Sequence, residues 1–286
     1  MQEITPLIQI NEVGPRDGLQ NETIMIPTAT KIAFINALSD TGLTYIEATS
    51  FVSAKWIPQL ADHEEVYEKI IKHAGIQYPV LIPNMKGMQE ALRCGVKEIA
   101  VFTAASEAFT QKNTNCTIHE SLSRMQDIII LAKEHHIPVR GYISCVIACP
   151  YVGNTDSSRV ADMTHELIDK GCYEVSLGDT IGVGTPKETD RLLTSILNTI
   201  PSDKIAMHFH DTHHHALDNI KLSVEMGIRS FDSSVGGLGG CPYAAGASGN
   251  VATEAVITLL HHMGYETGVD LEKLKKVLAI ITPLTS

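Results

Sequence analysis

Asp169-Lys-Gly171-Cys-Tyr-Glu-Val175 reads as the end of a helix, a glycine that stops it, and the start of a strand. Glycine just past the last helical residue takes up the left-handed conformation that closes a helix without a Cβ clash. The phrase returns at Asp40-Thr-Gly42-Leu-Thr-Tyr-Ile-Glu47, Arg93-Cys-Gly95-Val-Lys-Glu-Ile99 and Glu225-Met-Gly227-Ile-Arg-Ser-Phe231. Short apolar runs predict eight strands, near 7–13, 44–50, 79–83, 98–103, 138–146, 173–178, 204–210 and 229–235. Helical signals lie between them. Lys31 to Asp40 carries Ile32, Ile35 and Leu38 at helical spacing. A helix over Ser121 to His135 is entered by the capping box Thr117-Ile-His-Glu120. Thr185-Pro-Lys-Glu188 opens another, and Ala216 to Met226 is closed by Gly227.

Eight strands alternating with helices predict an α/β fold, a (β/α)8 TIM barrel. A doubly wound open sheet would want a glycine-rich phosphate turn after its first strand. Gly14-Pro-Arg-Asp-Gly18 stands there instead. No linker or low-complexity stretch interrupts residues 1–286, so a single domain is expected. The loop after strand eight and the C-terminal segment, 236–286, are expected to complete its site.

Composition removes several function classes. The chain holds 22 Lys and Arg against 33 Asp and Glu, a net charge of −11. With no basic cluster and 5% aromatic residues, nucleic-acid binding is not expected. No run approaches the roughly 18 apolar residues of a membrane span. The cysteines are Cys94, Cys116, Cys145, Cys149, Cys172 and Cys241, none in a C-x-x-C pair. Met1 to Ile10 does not read as a signal peptide, and no mitochondrial presequence is apparent. Together these predict a cytoplasmic protein with free thiols.

Chemistry gathers at the C-terminal ends of barrel strands. Strand seven, Lys204-Ile-Ala-Met-His-Phe-His-Asp211, carries His208 and His210. Residues two apart on a strand share a face, so both imidazoles project together, as half of a divalent-metal site would require. A lone histidine on such a strand is more often a core residue. Other strand ends add Arg16-Asp17, Glu47, Ser50, Arg140, Tyr142, Ser144, Ser176, Asp179-Thr180 and Gly236-Gly-Leu-Gly-Gly-Cys241, with Asn250 beyond. Each has a plain structural alternative: a rim salt bridge for Glu47, a turn cap for Asp179, an ion pair for Arg16-Asp17, a small hydrophobe for Cys241. Their gathering at one predicted end of one barrel is hard to produce by packing alone. His213-His-His215 is expected to open the next helix, solvated.

Four longer motifs carry a resemblance. Asn11-Glu-Val-Gly-Pro-Arg-Asp-Gly-Leu-Gln-Asn-Glu22, Ile46-Glu-Ala-Thr-Ser-Phe-Val-Ser53, Ser176-Leu-Gly-Asp-Thr-Ile-Gly-Val-Gly-Thr-Pro186 and Asp232-Ser-Ser-Val-Gly-Gly-Leu-Gly-Gly-Cys-Pro-Tyr-Ala244 resemble signatures of the 3-hydroxy-3-methylglutaryl-CoA (HMG-CoA) lyases. These belong to a wider group of metal-dependent Claisen-type lyases and synthases that share the barrel and the His-x-His pair. The resemblance spans essentially the whole chain. It implies cleavage of HMG-CoA, an acyl-CoA substrate, to acetyl-CoA and acetoacetate, and a homo-oligomer, a dimer. By motif match it implies Asp17, His208, His210 and Asn250 as ligands of Mg²⁺ or Mn²⁺, Arg16 at the thioester carbonyl, and Glu47 and Asp179 near the hydroxyl and carboxylate. Cys241 would sit on a mobile loop over the site. Ser50, Tyr142 and Ser176 are expected to contact substrate as well.

The chain departs from the pattern at His213-His-His215, where relatives have Tyr-Gly-Gln, and at Gly236, where Ala is usual. It also ends at Ser286 without the cysteine-bearing tail of animal relatives, so the thiol-linked dimers of that tail are not expected. On this reading Arg16 stabilises the departing enolate. Asp179 or Glu47 supports loss of the hydroxyl proton, with a metal-bound histidine as a competing shuttle, and Cys241 protonates the enolate carbon. The rivals are a related acyl-CoA lyase or Claisen-type synthase or aldolase on the same barrel, and a non-catalytic barrel.

Overall fold

The computed structural model describes residues 7–239 and 249–282. Its strands are β1 (Gln9–Glu12), β2 (Tyr45–Ile46), β3 (Thr49–Ser50), β4 (Val80–Leu81), β5 (Ile99–Ala104), β6 (Val139–Ser144), β7 (Ala148–Cys149), β8 (Gly153–Asn154), β9 (Glu174–Asp179), β10 (Ile205–Phe209) and β11 (Ser230–Ser233). Its α-helices are α1 (Thr28–Ser39), α2 (His63–Lys69), α3 (Met85–Arg93), α4 (Glu107–Thr114), α5 (Ile118–Glu134), α6 (Ser157–Lys170), α7 (Pro186–Leu197), α8 (Ala216–Glu225), α9 (Thr253–His262) and α10 (Leu271–Ile281).

Nine strands form one parallel sheet in the order β2-β1-β11-β10-β9-β6-β5-β4-β3. All eight predicted strand regions enter it. The predicted strand 44–50 appears as β2 and β3, which end the sheet on opposite sides with only Glu47 and Ala48 between them. The split has a local cause: Glu47 N–H donates to the Glu12 carbonyl at 2.9 Å, whereas Ala48 N–H donates to Pro79 at 2.9 Å. Successive residues thus bond to neighbours on opposite sides. The β7–β8 antiparallel pair is an addition the sequence reading did not contain.

The stop glycines behave as expected, with φ of +93° at Gly42, +69° at Gly95, +119° at Gly171 and +99° at Gly227. Helix α5 begins at Ile118 rather than Ser121, because the Thr117–Glu120 capping box acts at once on the first turn. His213 and His214 are exposed, as anticipated, and the half-buried His215 stands at the N-cap position of α8 without a side-chain capping bond. Helices bury apolar stripes in the common core: Phe34, Ile35 and Leu38 from α1, Leu192, Leu193 and Ile196 from α7. Burying such a side chain contributes about 1.5–3 kcal/mol. This packing makes the strands a rigid platform for whatever projects from their ends. No helix among the described residues is long and apolar enough to cross a membrane.

Candidate active site

A cavity of about 330 Å³ opens at the C-terminal end of the parallel strands, lined among others by Arg16, Asp17, Ser50, Tyr142, His208 and His210. The chain delivers Arg16 and Asp17 through a tight π-type turn, Gly14–Gly18, straight after β1. The N–H groups of Asp17 and Gly18 both reach the Val13 carbonyl, at 2.7 and 3.2 Å. Arg16 is buried. Its Nε donates to Glu47 Oε2 at 2.7 Å, its Nη1 pairs with Asp17 Oδ1 at 2.5 Å, and the guanidinium lies 5.5 Å from the centre of the Tyr142 ring. Burial opposes its charge, but Glu47 and Asp17 outweigh that and hold it protonated.

Asp17, His208 and His210 bring ligand atoms within 4.8 Å of one another. Nε2 of His208 lies 3.9 Å from Asp17 Oδ2. Asn250 joins them, its Nδ2 donating to Asp17 Oδ2 at 2.9 Å and to the Leu238 carbonyl at 3.0 Å. That leaves Asn250 Oδ1 buried and, like His210 Nδ1, without a hydrogen-bond partner among the described residues. A carboxylate, an amide oxygen and two imidazoles form the donor set that suits a hard or borderline divalent cation, and a buried amide oxygen without a partner is what such an ion would satisfy.

Charge prepares these groups. Burial alone would raise the Asp17 carboxyl, yet Arg16 and then His208 hold it at about 2. Burial, with His208 beside it, pushes His210 down to about 4, so its imidazole is neutral and able to act as a ligand at pH 7. Burial opposes a charged His208 too, but the hydrogen bond to Asp232 overcomes it and raises that pKa.

The remaining predicted residues fall at two depths. Glu47 and Asp179 are buried and do not border the cavity. Glu47 stands behind Arg16 with Oε1 unpartnered among the described residues, and burial raises its pKa. Asp179 takes the Gly184 N–H on Oδ2 at 2.8 Å and keeps Oδ1 unpartnered there. Burial lifts Asp179 to about 6, against the pull of the Gly184 N–H. Ser50 borders the cavity while donating to the Leu81 carbonyl at 3.1 Å. Ser176 is buried and does not border the cavity, its hydroxyl donating to Asp232 Oδ2 at 2.7 Å. Cys241 lies outside the described residues.

Two residues carry more than the sequence reading gave them. Asp232 and Arg140 form a buried ion pair at 2.8 Å directly beneath the site. A signal was available, since each is a charged residue inside a strand whose residues are all buried or nearly so, and charges there demand a partner.

Comparison with known proteins bears on the family and the fold. The profile of the HMGL-like family matches residues 7–281. The chain is 54% identical over 93% of its length to the rat (Rattus norvegicus) "3-hydroxy-3-methylglutaryl-CoA lyase, cytoplasmic", covering 78% of it. It is 53% identical over 93% of its length to the chicken (Gallus gallus) "Hydroxymethylglutaryl-CoA lyase, mitochondrial", covering 90% of it. The crystal structure of the HMG-CoA lyase from Brucella melitensis superposes with a TM-score of 0.96 at 51% identity, covering 98% of this chain and 99% of that one. The family match, spanning nearly the whole sequence and carrying the same fold, shows that this chain belongs to the HMGL-like family.

Proposed function

We propose that this protein is a hydroxymethylglutaryl-CoA lyase, cleaving (S)-3-hydroxy-3-methylglutaryl-CoA to acetyl-CoA and acetoacetate. The observation that carries this is the convergence of Arg16, Asp17, His208 and His210 on one cavity in a chain 54% identical to a protein of that name. The substrate is an acyl-CoA, as the relatives' names state for those proteins.

We read the sheet as a closed eight-stranded barrel in which β2 and β3 are halves of one strand. The support is that β2 pairs with β1, β3 pairs with β4, and two residues join them. Residues 1–286 then form one catalytic domain, in keeping with a single large core cluster running from Ile8 to Ile281.

Asp17, His208, His210 and Asn250 would hold the divalent cation, Mg²⁺ or Mn²⁺. When bound, it supplies Lewis acidity toward the substrate's hydroxyl and carboxylate oxygens and fixes their orientation. Arg16 donates to the thioester oxygen as negative charge develops there. One well-placed donor of this kind is worth about 3 kcal/mol. Of the two carboxylates, Asp179 is the better base for the hydroxyl proton, because Oδ1 is unpartnered and burial has brought its pKa near neutrality. Glu47 spends Oε2 on Arg16 and steers that guanidinium toward the substrate. Ser50 and Tyr142 line the substrate's path. Cys241 is the proposed acid for the enolate carbon.

Relatives are named cytoplasmic in some cases and mitochondrial in others. For this chain we favour the cytoplasm, in keeping with the free thiols of Cys94, Cys116, Cys145, Cys149 and Cys172. A homodimer belongs to the same proposal, and the exposed apolar side chains Ile24, Met25 and Trp56 offer surface for it. The test is a coupled assay for acetoacetate from HMG-CoA. Turnover that disappears on chelation and returns with Mg²⁺ or Mn²⁺ is expected. Absence of acetoacetate, with condensation of acetyl-CoA onto a 2-oxo acid instead, would overturn the lyase assignment.

A further inference from the structure

We infer that Asp232 is a positioning residue that fixes the His208 imidazole with its proton on Nδ1, so that Nε2 presents a lone pair to the space shared with Asp17 and His210. The inference rests on the metal-site proposal above. Its basis is the register of three adjacent strands. Asp232 on β11 stands opposite His208 on β10 and opposite Asn11 on β1. The Asp232 side chain is fully buried, and its two oxygens face four polar groups. Oδ1 accepts from Arg140 Nη2 at 2.8 Å and from Asn11 Nδ2 at 3.0 Å. Oδ2 accepts from Ser176 Oγ at 2.7 Å and faces His208 Nδ1 at 3.3 Å.

Arg140 keeps this carboxylate ionised, and it is itself anchored by Glu174 through Nε at 2.6 Å. An ionised carboxylate can only accept hydrogen bonds. The ring nitrogen facing it must therefore carry a hydrogen, and in a neutral imidazole the other nitrogen is then the acceptor. Three further donors lock the carboxylate in place, so the ring it holds has little freedom to turn or to change tautomer. His210, two residues along the same strand, differs: its Nδ1 has no hydrogen-bond partner among the described residues. The strand thus offers one imidazole prepared by folding and one left for a ligand to orient. Outer partners of this kind are typically worth about 10–100-fold in metal affinity.

The experiment uses the full chain, stripped of metal, with ¹⁵N-labelled histidine, read by long-range ¹H–¹⁵N correlation above neutral pH. The His208 ring is expected as the Nδ1–H tautomer in the wild type. In Asp232→Asn it is expected to shift toward a mixture of tautomers, with Mn²⁺ affinity by titration calorimetry falling about 10–100-fold. A wild-type ring protonated on Nε2 overturns the inference, and that measurement does not depend on the variant folding. Mn²⁺ affinity unchanged in a folded Asp232→Asn overturns it as well. If the wild type takes up no Mn²⁺, the metal-site proposal fails, while the tautomer still decides the role of Asp232.

Discussion

Two polar layers sit one above the other at the C-terminal ends of the strands, and they are completed differently. In the lower layer Arg140 donates to Glu174, Tyr142 and Asp232, and Asp232 also receives Asn11 and Ser176. In the upper layer Glu47 Oε1, Asp179 Oδ1, His210 Nδ1 and Asn250 Oδ1 are buried with no partner among the described residues. Leaving a buried polar atom unpaired costs about 1–3 kcal/mol, so the second arrangement persists only where something other than the fold repays it. The lower layer is closed within the fold, and through Asp232 it backs His208. The upper layer has the character of a site.

The contrast can be broken at several points. Arg140→Met should produce the largest effect, a loss of about 3–5 kcal/mol in urea unfolding, because it strands the Asp232 carboxylate without its counter-ion. Burial alone would raise the Asp232 carboxyl, but Arg140 holds it well below the usual range. The pair therefore stabilises fully above the unfolded carboxyl's value of about 4 and less as pH falls below it, so the gap between wild type and variant should narrow in acid. A stability loss under about 1 kcal/mol would put Arg140 among ordinary surface pairs.

Arg16→Met belongs to the upper layer and should act the other way. Turnover should fall by about 100-fold or more while circular dichroism and metal content stay intact. A mild kinetic effect would remove Arg16 from the chemistry. Next comes the pH profile. A base raised to about 6 is protonated below that pH, so kcat/KM should rise with pH through that region, and Asp179→Asn should be slow and lack the limb. If the limb survives in that variant, another group is the base. Ser176→Ala should give the smallest effect, about 1 kcal/mol of stability with KM unchanged, since its hydroxyl serves Asp232. A raised KM would instead place Ser176 in contact with substrate.

Much of this was legible in the residues because it is local. The helix stops at Gly42, Gly95, Gly171 and Gly227 depend on backbone conformation at one position, and the Thr117 and Thr185 capping boxes close within one turn. The expected sharing of one face by His208 and His210 follows from strand periodicity alone. The partner of Ser176 was not legible, for the complementary reason. Its place on β9 was right, but its hydroxyl answers to Asp232, 56 residues away in sequence. Asp232 and Arg140 are 92 residues apart, and nothing near either one names the other.

The sequence by itself determined which segments become strands and helices, that imidazoles and carboxylates collect at one end of the sheet, and which family the chain resembles. Short-range sterics, capping and the two-residue period of a strand suffice for that. The tertiary structure alone decided which polar atoms find partners. It joined Asp232 to Arg140 and His208, tied Ser176 to Asp232, and left His210 Nδ1 and Asn250 Oδ1 without partners among the described residues. Hydrogen-bond satisfaction in a closed interior depends on strands brought side by side from distant parts of the chain, and that information is absent from any single stretch of it.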